Sequence, residues 1–313
     1  MATHLKGVRR WTEAEIKADV KIGTDAFRVR RMAESQEQLE TTREQVEIAC
    51  HKTLPILHTI TGPGVDRAQL ARVLGDRETN LILRCIGTPP ISSDDLKTLA
   101  MGSVSPTSIR GDQKAADRIG EILSGIRDFK RFPWLQENRP PTSDELARAQ
   151  LATVTLAAAS KILTQRRSDE RVELEDQLHS LLRANLIEIP PKPIANIRSD
   201  GPQPGEFMRN ALVGQHGADA IVGLYDYRLL CIECKASNSE INSRKRLNKE
   251  VGADAKEWLG SFGENNIVPA AAIRGVFKAE YVKQAQEVPV AIFWSHRLGD
   301  LLDFIKSTKP KLV

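Results

Sequence analysis

The sequence lacks the features that define several protein classes. It has only four cysteines in 313 residues, and its apolar residues, 41% of the chain, form no run long enough to span a membrane. The N-terminal stretch MATHLKGVRRW is polar and basic and shows no signal peptide. We therefore expect a cytoplasmic protein with ordinary cores and no membrane partner. The formal net charge of +4 permits a nucleic-acid partner without requiring one.

The cysteines and histidines also lack the spacing of a zinc site. Cys231 and Cys234 form one CxxC pair, but both lie in a predicted strand, where they would point to opposite faces. No second pair stands at zinc-site spacing, and no two histidines have metal-ligand spacing on a helix. The sequence therefore predicts buried, reduced thiols.

Two apolar runs joined by a short polar turn are the most informative feature present. The second run, Leu229 to Ala236, is interrupted only by Glu233 and Lys235 and predicts a buried strand. Because side chains alternate along a strand, Glu233 and Lys235 should share one face. The first run, Ala218 to Leu224, precedes a turn, YDYR, of hairpin length. Folding back through this turn would place Asp219 roughly opposite Glu233.

The charges in this hairpin need partners. An ion inside an apolar strand loses hydration, at a cost of several kcal/mol unless something compensates it, and two close carboxylates repel unless a cation lies between them. Mg²⁺ prefers one or two carboxylates together with backbone oxygens and waters. We therefore predict a Mg²⁺ site on Asp219 and Glu233, with Lys235 holding the attacking water in phosphodiester hydrolysis. A structural hairpin, with Asp219 capping a turn and a Glu233–Lys235 ion pair, is the alternative.

A basic helix is predicted directly after the second strand. It begins near Ser239 or Glu240, ends at Gly260 or Gly263, and has Ile241, Leu247 and Val251 as apolar positions. Lysine and arginine neutralise phosphates, and arginine or asparagine can contact base edges. This helix is therefore the best candidate for a DNA contact, although a solvated charged face is the alternative. The helix residues predicted to touch DNA are Asn242, Arg244, Lys245 and Lys249, and His216, near Asp219, is added to them.

The remaining elements predict two domains. After the basic helix come a strand, a helix, a strand and a helix, the order of an α/β layer with a mixed sheet; their predicted ranges are Ile267 to Val276, Lys278 to Gln286, Val288 to Trp294 and Leu298 to Lys306. Residues 1–166 look almost entirely helical and 167–313 form the second domain. Helix-forming stretches are predicted over Thr12 to Glu47. Further helices are predicted at Asp66 to Gly75, Ser92 to Ala100, Asp112 to Phe129, Ser143 to Thr164 and Asp169 to Asn185, and several of them open with a Ser or Asp capping residue. The stretch from Arg183 through Leu212 looks rich in loops.

The spacing of GAD at 217–219 and ECK at 233–235 resembles the active-site signature of the PD-(D/E)XK nuclease superfamily. Ala218 stands where the name-giving motif has proline. The resemblance implies that Asp219 and Glu233 bind the metal, that Lys235 serves catalysis, and that the backbone carbonyl of Cys234 is a further ligand. It also matches Glu175, in the helix before the first catalytic strand, to a metal-binding glutamate. An acidic first helical turn that complements the helix dipole is the alternative for Glu175.

The block from ECK through RKRLN, with the later strand ending FWSH, resembles Type II restriction endonucleases and the XamI-type restriction enzymes among them. The resemblance implies Mg²⁺-dependent, sequence-specific cleavage of double-stranded DNA with 5′-phosphate ends. It also implies a homodimer on a palindrome, and Ser237 and Asn238 as further DNA contacts. The expected fold is α/β (α+β), with a mixed-sheet PD-(D/E)XK core and a large helical N-terminal domain that clamps DNA, recognises it or dimerises. A repair or junction-resolving nuclease and a non-catalytic DNA-binding protein are the alternatives.

Overall fold

The computed structural model describes residues 7–34, 36–62 and 64–310. These divide into two compact units, one formed by the described residues of 1–34 and 166–313, the other by those of 35–165. The sequence-based division placed all residues up to 166 in the helical domain. In the structure residues 7–34 are instead part of the unit that contains the C-terminal half. The roles predicted for the helical domain stay predictions.

Capped helices build most of the chain before residue 184. Helix α1 (Glu13–Met32) opens with a capping box between Thr12 and Glu15 and belongs to the first unit. The next helices are α2 (Gln36–Thr53), α3 (Leu57–Ile60), α4 (Arg67–Gly75), α5 (Arg77–Arg84), α6 (Ser93–Ala100), α7 (Pro106–Gly111), α8 (Gln113–Ile126) and α9 (Ser143–Arg183). Asp66, Ser92 and Asp112 cap α4, α6 and α8 through their side chains. The capped starts predicted at these three residues are therefore confirmed.

One helix prediction was wrong in its extent. The helix-forming stretches expected over Thr12 to Glu47 form the helices α1 and α2. The two helices expected at Ser143 to Thr164 and Asp169 to Asn185 are instead one continuous helix, α9, of 41 residues. The segment between those two predictions contains neither glycine nor proline, so nothing in it ends a helix. The predicted domain boundary at 166 therefore falls inside α9.

A six-stranded mixed sheet forms the centre of the first unit. Its strands are β1 (Ile187–Glu188), β2 (Glu206–Val213), β3 (His216–Gly223), β4 (Leu229–Asn238), β5 (Ile267–Val276) and β6 (Ala291–Trp294), and they lie in sequence order. β3 runs antiparallel to both β2 and β4, while β4, β5 and β6 are parallel. The predicted hairpin and the two later strands are thereby confirmed.

Helices cover both faces of this sheet. They include α10 (Ile197–Asp200), α11 (Glu240–Arg244), α12 (Gly252–Phe262), α13 (Ala279–Glu287) and α14 (Gly299–Ser307), with a π-helix at Lys245–Val251 between α11 and α12. The end of α9 and α14 pack on one face, through Leu178 and Leu301. On the opposite face, α1, the π-helix and α13 pack through Ile16, Leu247 and Val282. Within the described ranges, no helix has the length and apolar character needed to cross a membrane.

The expectation of a loop from Arg183 through Leu212 was wrong for β2. Phe207 packs on the α9 face, and Met208 packs on the opposite face, as alternation requires. Ala211 and Val213, however, share the face of Met208. The alternation shifts at Asn210, which has a left-handed φ of 48°. A strand whose apolar period is interrupted in this way gives no regular signal in the sequence.

Candidate active site

The site begins where β3 and β4 separate. Their regular pairing ends at Ala220 and Ile232, so Asp219 and Glu233, which come next in register, lie opposite each other outside the ladder. The regular pairing of β2 with β3 also omits Asp219. Freed from both ladders, the Asp219 carboxylate accepts a 2.6 Å hydrogen bond from the backbone N–H of Cys234. The predicted juxtaposition of Asp219 and Glu233 is therefore confirmed.

Helix α9 fixes Asp219 from the other side. The Asp219 side chain, in a residue only 6% exposed, has its Oδ1 atom 3.2 Å from Nη2 of Arg171. The backbone carbonyl oxygen of Asp219 lies 3.0 Å from Nε2 of the buried His179. Backbone and side chain of Asp219 are thus both held, so its carboxylate has little freedom to turn away.

Glu233 and Lys235 form an ion pair on the part of β4 that extends beyond its pairing with β3. The Lys235 Nζ atom lies 2.7 Å from Oε2 of Glu233 and 3.7 Å from Oε2 of Glu250, which belongs to the π-helix. Glu233 is 8% exposed, and burial together with the charge of Asp219 raises its pKa to about 7 in spite of Lys235. Burial also disfavours the charged form of Lys235, but Glu233 and Glu250 outweigh that effect and raise its pKa. Lys235 is therefore a charged ammonium beside the acidic pair.

The faces of β4 agree with the prediction. Leu229 and Cys231 pack on the face of α12, whereas Leu230, Ile232 and Cys234 pack on the α9 face. The CxxC pair is accordingly split between two faces. All four cysteines of the chain are buried and free, as expected for reduced structural thiols. Because the Cys234 side chain is buried in the core on the α9 face, only its backbone atoms can contribute to the site.

Glu175 lies near this cluster but is engaged by Arg171. The Glu175 Oε1 atom pairs with the guanidinium that also contacts Asp219. Glu175 is far from the start of α9 at Ser143, so the helix-dipole alternative for Glu175 is wrong. Its predicted part in metal binding stays a prediction.

The acidic groups suit a hard divalent cation. Among the residues that the structure describes, no three histidine, cysteine, aspartate or glutamate side chains gather closely enough to hold a metal by themselves. The donors at the end of the hairpin are two buried carboxylates, Asp219 and Glu233, next to the backbone of Cys234. Mg²⁺ is commonly bound through one or two carboxylates, with waters in its remaining positions. The residues present therefore fit this ion and do not suit a soft-metal site.

The start and the end predicted for the helix after β4 are confirmed, but one of its predicted apolar positions is not buried. The Ser239 side chain caps its start, and Gly263, at a φ of 82°, ends it. Leu247 and Val251 are buried as expected, but Ile241 is 85% exposed. The helix also changes to π geometry at Lys245–Val251, a form frequent at functional sites. This change cannot be read from apolar spacing.

The candidate DNA contacts on this segment have different surroundings. Asn242, Arg244, Lys245 and Lys249 are exposed, as is Asn238, whose Oδ1 accepts a 3.3 Å hydrogen bond from Asn242. Ser237, in contrast, is buried and donates its hydroxyl to the carbonyl of Ser239 at 2.8 Å. His216 is partly exposed, and its Nδ1 lies 3.0 Å from Oδ1 of Asp254 on α12. Contact of these seven residues with DNA stays a prediction.

Sequence reasoning assigned no role to four residues that the structure places at or beside the acidic pair. They are Arg171, His179, Glu250 and Asp254. A signal for two of them was present, because Arg171, Glu175 and His179 repeat at intervals of four, which aligns them on one side of a helix. Glu250 and Asp254 could not be found in this way, since their approach depends on the π-helix and on how α12 packs.

A mixed α/β unit with a buried acidic pair and a charged lysine, where two strands separate, defines a class of candidate hydrolytic enzymes. Comparison with known proteins gives the family. The model of the XamI restriction endonuclease family matches residues 63–294. A Type II restriction enzyme, XamI, from Xanthomonas campestris pv. amaranthicola is 31% identical over 268 residues, covering 84% of this chain and 96% of that enzyme. The chain belongs to the XamI restriction endonuclease family, which confirms the expected enzyme class, a site-specific deoxyribonuclease.

Proposed function

We propose that this protein cuts both strands of DNA at a specific sequence by Mg²⁺-dependent hydrolysis in a core of the PD-(D/E)XK type. The observation that carries the proposal is the buried Asp219–Glu233 pair beside the charged Lys235, where β3 and β4 separate. The family match supports a nuclease, and the chemistry of these side chains supports its cofactor.

Each of the three residues has a distinct part. Asp219 and Glu233 would hold the cation, with the carbonyl of Cys234 and, by resemblance, Glu175 as further candidates. The bound cation supplies a water of lowered pKa and neutralises charge on the phosphate. Lys235 orients the attacking water and stabilises negative charge that develops on the phosphate oxygens. The hydrogen bond from Cys234 and the contact with His179 keep Asp219 in position.

The products follow from the bond that breaks. We propose that the water oxygen bonds to phosphorus while the bond from phosphorus to the 3′-oxygen breaks. The attacking water gives up one proton to solvent and the departing 3′-oxygen takes one from solvent, which leaves a 3′-hydroxyl and a 5′-phosphate. The neighbouring helix, with Asn242, Arg244, Lys245 and Lys249 exposed, would hold the substrate beside this reaction.

We further propose a homodimer that acts in the cytoplasm. A single set of Asp219, Glu233 and Lys235 serves one scissile phosphate, and two-fold symmetry on a palindrome would place one set on each strand. The helical unit 35–165 would contribute to recognition, to a DNA clamp or to the dimer interface. Light scattering of the complex with duplex DNA tests this, since a single chain that cuts both strands in one binding event contradicts it.

Digestion of a plasmid of known sequence, with and without Mg²⁺, tests the activity itself. We expect discrete fragments only with the ion, and sequencing of their ends should place every cut at one motif with 5′-phosphates. Random products would instead favour a nuclease without sequence preference. Cutting confined to branched DNA would favour a junction-resolving enzyme. Asp219→Ala is the matched inactive control, and its retention of cleavage would remove the site.

A further inference from the structure

Arg171 is the cation placed most directly on the proposed metal ligands. Its Nη2 atom lies 3.2 Å from Oδ1 of Asp219, and its Nε donates to Oε1 of Glu175 one helical turn away. The Arg171 side chain is 61% exposed, whereas that of Asp219 is 9% exposed. One guanidinium thus bridges two carboxylates from the solvent side of the site.

This contact leaves Asp219 with no oxygen free of a donor. One carboxylate oxygen accepts the Cys234 N–H and the other faces Arg171. Among these partners, the backbone N–H is fixed in β4, but an exposed arginine can turn into solvent without opening a core. A cation that binds Oδ1 of Asp219 would therefore share that oxygen with Arg171 or displace the guanidinium.

We propose that Arg171 stands in for the divalent cation on Asp219 and Glu175 in the DNA-free enzyme and contacts a phosphate of DNA once that cation binds. The proposal rests on the proposed function, because it takes Asp219 as a metal ligand. A guanidinium fits both roles, since its planar donors bind carboxylates and phosphates in the same two-pronged way. Displacement would leave this cation next to the scissile phosphate, where positive charge is needed.

Two measurements test the proposal, and one substitution should change them in opposite directions: Mn²⁺ binding should become tighter and cleavage should become slower. Arg171→Met keeps the apolar stem and removes the charge. Titration of the DNA-free protein with Mn²⁺, with free ion measured by electron paramagnetic resonance, should show tighter binding by about two- to fivefold, the value of a largely exposed ion pair. Single-turnover cleavage at saturating Mg²⁺ and enzyme should fall roughly a hundredfold, as for loss of one preorganised donor.

Two further variants control the result. Arg171→Lys keeps the positive charge but loses the planar, two-pronged guanidinium. It should therefore bind Mn²⁺ like the parent and cleave at an intermediate rate. Arg183→Ala removes another exposed arginine of the same helix, one that forms an ion pair with Glu188. This substitution should change neither measurement. Thermal melts of all variants should resemble that of the parent.

Weakened or unchanged Mn²⁺ binding by Arg171→Met would overturn the stand-in role, because a merely structural arginine would not compete with the ion. Tighter binding with full cleavage would overturn the phosphate contact. Asp219→Asn separates these results from a failure of the proposed function. If that variant binds Mn²⁺ as tightly as the parent, the metal site itself is wrong, whatever Arg171 does.

Discussion

At the turn end of the β3–β4 hairpin, Arg228 pairs with Asp226 at 2.8 Å, and the Arg228 carbonyl accepts a hydrogen bond from the Leu224 N–H. At the open end, Asp219 and Glu233 are buried together, and the pKa of Glu233 is raised to about 7. The turn end borders a cleft of about 800 Å³ lined by polar residues that include Arg198, Gln203, Tyr227, Asn265 and Asn266. This cleft thus lies at the turn end, away from the buried acidic pair. The end that we propose to be reactive is therefore identified by its two buried carboxylates and the raised pKa of Glu233, and not by this cleft.

The largest expected effect comes from the same substitution made at the two ends. Asp219→Asn should reduce cleavage to below about a thousandth of the parent rate, because it removes a charge from the acidic pair and weakens cation binding. Asp226→Asn, at the turn, should leave cleavage unchanged. Single-turnover rates on a duplex with one site measure both. DNA binding without Mg²⁺ should persist in each variant, and equal rates for the two would end the distinction between the hairpin ends.

Lys235→Met should lower the single-turnover rate by roughly 10²- to 10³-fold, because it removes the ammonium that we propose to stabilise charge at the phosphate. The methionine keeps most of the buried stem, so the fold should persist by circular dichroism. Lys278→Met is a matched control, since Lys278 pairs with Glu280 on a more exposed surface. A Lys235→Met enzyme with near-parent activity would reduce the Glu233–Lys235 pair to a structural ion pair.

A smaller effect is expected on the helix beside the open end. Lys245→Ala and Lys249→Ala should each weaken DNA binding evenly across sequences and reduce the slope of log K against log salt by about 0.9. Asn242→Ala, if it removes a base contact, should relax discrimination at one position by about 1–3 kcal/mol. Lys306→Ala, an exposed lysine of α14, is the control. If these substitutions change neither the affinity, the salt slope nor the sequence preference, the exposed charges of this helix are a solvated surface and not a DNA contact.

The smallest effect on cleavage, but a measurable one on stability, is expected at the turn. Asp226→Asn removes the charged partner of Arg228, which is itself buried. Loss of a hydrogen bond to a charged group should lower the free energy of unfolding by about 1–3 kcal/mol. Urea denaturation measures this change. A stability loss of that size with intact cleavage would show that the turn end supports the fold and not the reaction.

Both ends of the hairpin could be placed from the sequence because their signals are local. The alternation in β4 predicted the faces of Glu233 and Lys235, and the length of the turn predicted that Asp219 lies opposite Glu233. The contacts of Glu250 and Asp254 with this end depend on the π-helix and on tertiary packing, and no local pattern encodes them. β2 was missed because the left-handed φ of Asn210 interrupts its period. The length of α9 was missed because its interior looks like two separate amphipathic stretches.

The buried thiols of this protein have a practical consequence for labelling. All four cysteines are buried and unpaired, and burial raises the pKa of Cys231 and Cys234 on the strand that carries Glu233. Since the thiolate is the reactive form, reagents such as maleimides should modify the native protein slowly. A cysteine introduced at Ile241, where the side chain is largely exposed, would then react first. A fluorophore at this position would report the approach of DNA to the basic helix without any native cysteine being removed.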